Sequence, residues 1–141
     1  DALQGARVAD LFAGSGAIGL EALSRGARYC DFVENGPAAL HSLKANVAAL
    51  RVREKARIYD RDAIQFVERL EAGRYDIAIA DPPYGSRKLD RVVAYWQQVP
   101  FAALLLLEHA TDHEGVPRGE RRVLGDTTIT LLRHRGAAAQ P

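Results

Sequence analysis

Short apolar runs alternate with amphipathic stretches along most of this chain. Residues 7–13, 29–34, 55–59, 75–80 and 101–108 are apolar blocks of strand length. Blocks of that length, bounded by turn residues, read as buried strands. The intervening stretches 17–25, 37–49, 63–71 and 89–97 carry helical spacing. Pro37 suits a first helical position, and Ala39, Leu40, Leu43, Val47 and Leu50 form one apolar stripe behind it. Regular strand–helix alternation predicts an α/β fold, a doubly wound and mostly parallel sheet with right-handed crossovers. The tail breaks the rhythm. Residues 121–124 and 127–133 flank Gly125-Asp126 and predict an antiparallel hairpin at the sheet edge. At 141 residues the chain is expected to form one domain over 1–141, with a frayed end at 136–141.

The first strand runs into Asp10-Leu11-Phe12-Ala13-Gly14-Ser15-Gly16-Ala17-Ile18-Gly19. Gly14, Gly16 and Gly19 fit G-x-G-x-x-G between a strand and a helix, where the backbone bends tightly and approaches a ligand closely. Glu34, about 20 residues after Gly14 at the end of the next strand, can accept ribose hydroxyls. Asp10 separates two ligand classes. A carboxylate there opposes a pyrophosphate and attracts a cation, which favours S-adenosylmethionine over a nicotinamide dinucleotide. A strand-end acid bonding the backbone of the turn is the plainer reading and is compatible with it. Asp62, before the 63–71 helix, is placed to cap that helix or to accept the adenine amino hydrogens.

The fourth strand ends in Asp81-Pro82-Pro83-Tyr84. Prolines carry no N–H and hold the preceding residue extended, so this is a stiff lip bearing a carboxylate, carbonyls and an aromatic ring. Those groups suit a planar amine such as the exocyclic NH2 of a base. The plain alternative is a Pro-Pro turn leaving a strand.

The string from Asp10 to Ala27, together with Phe32-Val33-Glu34, Asp62-Ala63 and Asp81-Pro82-Pro83-Tyr84, resembles the bacterial 16S rRNA guanine-N2 methyltransferases, the ribosomal RNA small subunit methyltransferase D family. Leu107-Glu108-His109 and the stretch from Arg122 to Thr128 extend the likeness over nearly the whole chain. The resemblance implies a class I, Rossmann-like methyltransferase domain, with S-adenosylmethionine as cofactor and no metal. It implies cofactor contacts at Asp10, Phe12, Ala13, Gly14, Ser15, Gly16, Glu34, Asn35, Asp62, Ala63 and Asp81. It implies catalytic positions at Asp81, Pro82, Pro83 and Tyr84, with Tyr84 stacking on an extruded guanine. Small-subunit rRNA, in an assembling ribosomal particle, is the implied partner. Two departures stand out. The family carries a basic hairpin and a helix ahead of the first strand that help cover the cofactor and contact RNA, so a shortened form is expected here. Asn35-Gly36 replaces the family's usual charged pair.

Bulk properties refine the picture without redirecting it. A net charge of +1 leaves any RNA affinity to local patches. Arg87, Lys88 and Arg91, and also Arg118, Arg121 and Arg122, are candidates for phosphate contact or for a solvated face. The one cysteine, Cys30, falls in an apolar strand and forms neither an internal disulfide nor a zinc site. With one cysteine a reducing, cytoplasmic setting is expected; no signal sequence is visible, the longest apolar run is too short to cross a bilayer, and the chain is expected to be a monomer. His41, His113 and His134 read as surface residues, His109 as non-catalytic and Trp96 as core. Three alternatives stay open: another nucleic-acid amino-methyltransferase such as an adenine-N6 enzyme, a cofactor-binding but inactive domain, and a nicotinamide-dependent oxidoreductase.

Overall fold

A computed structural model describes residues 2–134. Five parallel strands form its centre: β1 (Arg7–Leu11), β2 (Tyr29–Glu34), β3 (Ala56–Asp60), β4 (Tyr75–Ala80) and β5 (Ala102–Ala110). The helices are α1 (Ala17–Ser24), α2 (Pro37–Ala49), α3 (Ala63–Val67) and α4 (Lys88–Gln98), with a 3-10 turn at Arg53–Lys55. Strands β6 (Glu120–Leu124) and β7 (Thr127–Arg133) complete a seven-stranded sheet in the order β3-β2-β1-β4-β5-β7-β6. Both β7 against β5 and β6 against β7 are antiparallel, so the expected hairpin lies at the edge.

Alternation along the strands sorts side chains onto two faces. Val8, Cys30, Phe32, Ile77 and Ile79 pack with Leu20, Leu23, Leu43 and Val47 of α1 and α2. Ala9, Leu11, Val33, Ala78 and Ala80 face α3 and α4, where Phe66, Val92 and Trp96 meet Leu105 and Leu107 of β5. The sheet is covered on both faces, which explains why β1, β2 and β4 are nearly continuous in apolar residues.

Several boundaries differ from the sequence pattern, each for a local reason. Strand β1 stops at Leu11 instead of 13, because Phe12 takes a left-handed conformation (φ 59°) that turns the chain out of the sheet. Helix α3 is five residues long, not nine: beyond Val67 the chain tightens into turns that end at Gly73, where φ is 76°. Strand β5 runs two residues past 108, because β7 pairs with it as far as Ala110↔Thr127. Trp96 is core, as expected, and its indole N–H donates to the Ala102 carbonyl. Two histidines read as surface residues have partners brought from far away in sequence. His113 Nε2 lies 2.8 Å from Asp90 Oδ1, and the His134 ring stands edge-on to Trp96. The expected frayed end at 136–141 lies outside the described residues.

Candidate active site

The strand order reverses direction between β1 and β4, and ligands of open α/β sheets bind at such a switch point, beyond the carboxyl ends of the strands. Register places the motifs side by side on that rim. Leu11 pairs with Val33 on one side and with Ala80 on the other, while Glu34 pairs with Asp60 and Ala80 with Leu107. The residues that follow are therefore neighbours: Asp62, Glu34, the Phe12–Gly16 turn, Asp81 and Glu108.

Between them opens a cleft of about 530 Å³. The glycine turn supplies Phe12, Ala13, Gly14 and Ser15, helix α1 supplies Ala17 and Ile18, and β2 supplies Glu34 and Asn35. The lip supplies Asp81, Pro82 and Pro83, and Lys88 closes the far side. A shallow recess of about 20 Å³ continues past Phe12 and Glu34 to Arg61, Asp62 and Ala63. The glycine turn and the proline lip thus open onto one space, as their sequences predicted.

The glycines divide the labour. Gly14 has φ 58° and nothing within 4 Å of a hypothetical Cβ, so its backbone is free to receive a ligand. Gly16 begins α1 at φ 87°. At Gly19 a Cβ would stand 2.4 Å from Phe32 Cε1 and 2.9 Å from Asp10 Oδ2, so this third glycine serves the contact of helix with strand.

Glu34 lines the cleft, but its carboxylate is already engaged. Oε1 accepts from the Gly14 N–H at 2.8 Å, and Oε2 accepts from the Asn35 and Gly36 N–H groups at 3.1 and 2.8 Å. A carboxylate offers about four acceptor positions, so roughly one remains for a ribose hydroxyl. Asp62 caps α3, its Oδ2 accepting from the Gln65 N–H at 2.9 Å, and the same residue borders the shallow recess. Both sequence readings of Asp62 are geometrically compatible.

Asp10 is placed differently from the cofactor-facing position first expected. It is 2% exposed, lies beneath the glycine turn, and accepts from the Gly19 N–H at 3.0 Å. The plainer reading, an acid that fastens the turn, describes its present contact. Burial pushes its carboxyl up to about 8, with the charges of Asp81 and Glu34 adding to the effect and the Gly19 N–H opposing it.

At the lip, Pro82 is buried and its carbonyl has no hydrogen-bond partner among the described residues. The Pro83 carbonyl is occupied by the Ser86 hydroxyl at 2.9 Å, so one of the two proline acceptors is already used. Tyr84 is 57% exposed, and its hydroxyl hydrogen-bonds that of Thr127 at the start of β7. The Asp81 carboxyl is raised to about 6, first by burial and then by the charge and hydrogen bond of Glu108. No functional role was expected of Glu108; the sequence signal that could have found it is a lone acid closing the apolar β5 run. Of the basic candidates, Lys88 enters the cleft and its Nζ stands 6.0 Å from the centre of the Phe12 ring. Arg91 pairs with Glu68 instead, and Arg121 donates to the Val116 carbonyl. His109 is buried, held by the Ala110 carbonyl and the Thr130 hydroxyl, and takes no part in the cleft.

A family model described as conserved hypothetical protein 95 matches residues 1–123. The chain belongs to this family. The family includes proteins named ribosomal RNA small subunit methyltransferase D, and the one from Escherichia coli is 35% identical over 88 residues, 62% of this chain and 43% of that protein. YlbH of Bacillus subtilis, provisionally named an rRNA methyltransferase, is 34% identical over 144 residues, covering 94% of this chain and 78% of YlbH. A solved Escherichia coli structure, yhhF, provisionally described as a methyltransferase, superposes with a TM-score of 0.78 at 29% identity, covering 92% of this chain and 75% of that one. The family's fold is thus the class I methyltransferase sheet, its antiparallel final strands included. The dinucleotide-oxidoreductase alternative finds no support in these relatives.

Proposed function

We propose that this chain transfers the methyl group of S-adenosylmethionine to the exocyclic N2 of a guanine in small-subunit rRNA. One observation carries the reading: the glycine turn and Asp81, Pro82 and Pro83 of the lip line a single cleft. The names of the relatives, rRNA methyltransferases among them, point the same way.

The residues present suit the cofactor. Gly14 leaves open space at its backbone, Glu34 keeps an acceptor for ribose, and Asp62 and Ala63 border a small recess that continues from the cleft past Phe12. The cleft carries two carboxylates, Glu34 and Asp81, against one ammonium, Lys88, a balance that favours a cation over a pyrophosphate. When bound, S-adenosylmethionine supplies an electrophilic methyl group on a sulfonium.

The protein's own task is to aim the amine. The N2 lone pair of guanine is delocalised into the ring and is a poor nucleophile. Hydrogen bonds from the NH2 to the Asp81 carboxylate and the unpartnered Pro82 carbonyl localise that pair and orient it. Positioning of this kind lowers a barrier by about 7 to 11 kcal/mol in the best cases. Asp81 then accepts the proton that N2 gives up. Tyr84, exposed beside the lip, provides a stacking face for the extruded base. The cofactor set is read as Asp10, Phe12, Ala13, Gly14, Ser15, Gly16, Glu34, Asn35, Asp62, Ala63 and Asp81, with Asp10 acting through the turn it fastens. An assembling small-subunit particle in the cytoplasm, met by a monomer, completes the reading.

Mass mapping of methylated nucleosides in small-subunit rRNA, from cells with and without the gene, tests it. Loss of one N2-methylguanosine is expected, with return on re-expression. Loss of an N6-methyladenosine instead, or no change in any nucleoside, overturns the guanine assignment.

A further inference from the structure

Glu108 stands directly after the last β4–β5 pair, Ala80↔Leu107, and so lies across from Asp81 at the carboxyl end of β5. Its own partner on the other side is Ile129 of β7, which offers no charge and no side-chain hydrogen bond. Parallel pairing keeps paired side chains on one face of the sheet, so the Glu108 and Asp81 carboxyls stand side by side at the lip, and Glu108 acts on Asp81 there through its charge and hydrogen bonding. A carboxylate so close disfavours ionisation of its neighbour, which adds to burial in raising Asp81.

We propose that Glu108 is a positioning residue of the methyl-transfer site: its carboxyl, beside Asp81 across the β4–β5 ladder, orients Asp81 toward the amine. The proposal rests on the methyltransferase reading above and adds to it a residue that neither glycine turn nor lip contains. In the transfer step the N2–carbon bond forms as the carbon–sulfur bond breaks, its electron pair leaving with sulfur. The N2–H bond then gives its pair back to nitrogen and its proton to Asp81. Glu108 makes Asp81 a stronger base for that proton than an isolated surface carboxylate.

Other groups face Asp81 and set the background. Asp10 from β1 lies beneath, Glu34 from β2 and Lys88 from α4 line the same cleft, and His109 of β5 is turned away to Thr130 of β7. None of these replaces Glu108 as hydrogen-bond partner of Asp81.

The test is a carboxyl-carbon NMR titration of Asp81 in the wild-type chain and in Glu108→Gln, without cofactor or RNA. The wild-type midpoint is expected near 6. In Glu108→Gln it falls by about half to one pH unit, because a like charge is gone while burial remains. An unchanged midpoint in a folded variant overturns the proposal. The acid limb of the pH–rate profile is then followed with small-subunit particles and S-adenosylmethionine. It should shift by the same interval, with kcat lowered several-fold and KM for the cofactor unchanged, and Glu108→Asp should partly restore the wild-type profile. A moved NMR midpoint with an unmoved rate profile also overturns the positioning role. A moved midpoint in a protein that methylates no guanine leaves the carboxyl pair standing and removes the methyl-transfer reading instead.

Discussion

Asp10 shows how a single residue can hold two roles in tension. Its carboxyl titrates at 3.8 when unperturbed and at about 8 in the folded chain. Between those values the folded state binds the proton and the unfolded state does not, so stability falls as pH rises and the full penalty stands above 8. Asp10→Asn removes the titration while keeping an oxygen for the Gly19 N–H. Thermal melts between pH 5 and 9 should show the wild-type Tm declining across the interval and the variant nearly flat, with the variant several degrees higher at pH 8. Parallel curves would mean that Asp10 is ionised in the fold. The residue type and its place before the glycines were legible in sequence. Its burial was not, because that depends on how closely α1 settles on β1, a distance set by Gly19 against Phe32. Glu34 is similar: its position was readable, but the three backbone N–H groups that engage it come from turn geometry. Glu108 escaped because its meaning lies in a neighbour 27 positions away that only strand register supplies.

The elements themselves were largely visible, since two-sided burial makes apolar runs of β1, β2 and β4, and α2 and β7 begin and end where the pattern puts them. Less visible was what ties the strands together at the end remote from the cleft. Asp31 of β2 is fully buried and accepts from Arg57 of β3 through two guanidinium nitrogens, at 2.6 and 3.1 Å. It also accepts from the Tyr75 hydroxyl at the start of β4, at 2.7 Å, and from Arg74 at 3.5 Å. One carboxylate thus fastens three strands. Asp31→Ala leaves the buried Tyr75 hydroxyl unpaired, while the partly exposed arginines recover water. A loss of about 2 to 3 kcal/mol follows, to be read as a lower midpoint in urea. Affinity for S-adenosylhomocysteine should stay within a factor of two, because the network does not border the cleft. A variant that unfolds at the wild-type midpoint, or one that keeps its stability and loses the ligand, would contradict this division between frame and site.

At the scale of the whole molecule, the order β3-β2-β1-β4-β5 brings the carboxyl ends of five parallel strands to one rim, so acids scattered from Asp10 to Glu108 share one electrostatic neighbourhood. The net charge of +1 conceals this, because it averages an acidic cleft with a basic exterior that includes the exposed β6 arginines. Asp81 is the group in the cleft whose charge changes at ordinary working pH, ionised above about 6 and neutral below. A cationic ligand should therefore bind less tightly as pH falls through that value, and an anionic one should not. Calorimetric titration with S-adenosylmethionine at pH 7.5 and 5 is expected to show a loss of about three- to tenfold, the size of one ion contact partly screened by water. S-adenosylhomocysteine, which lacks the sulfonium charge, should lose less, and a nicotinamide dinucleotide should bind more weakly than either at pH 7.5. Asp81→Asn should remove the pH dependence of S-adenosylmethionine binding. If the dinucleotide bound tightest, or if affinity for the sulfonium rose on acidification, the acidic rim would have to be serving some ligand other than a methyl donor, however well its loops match the family.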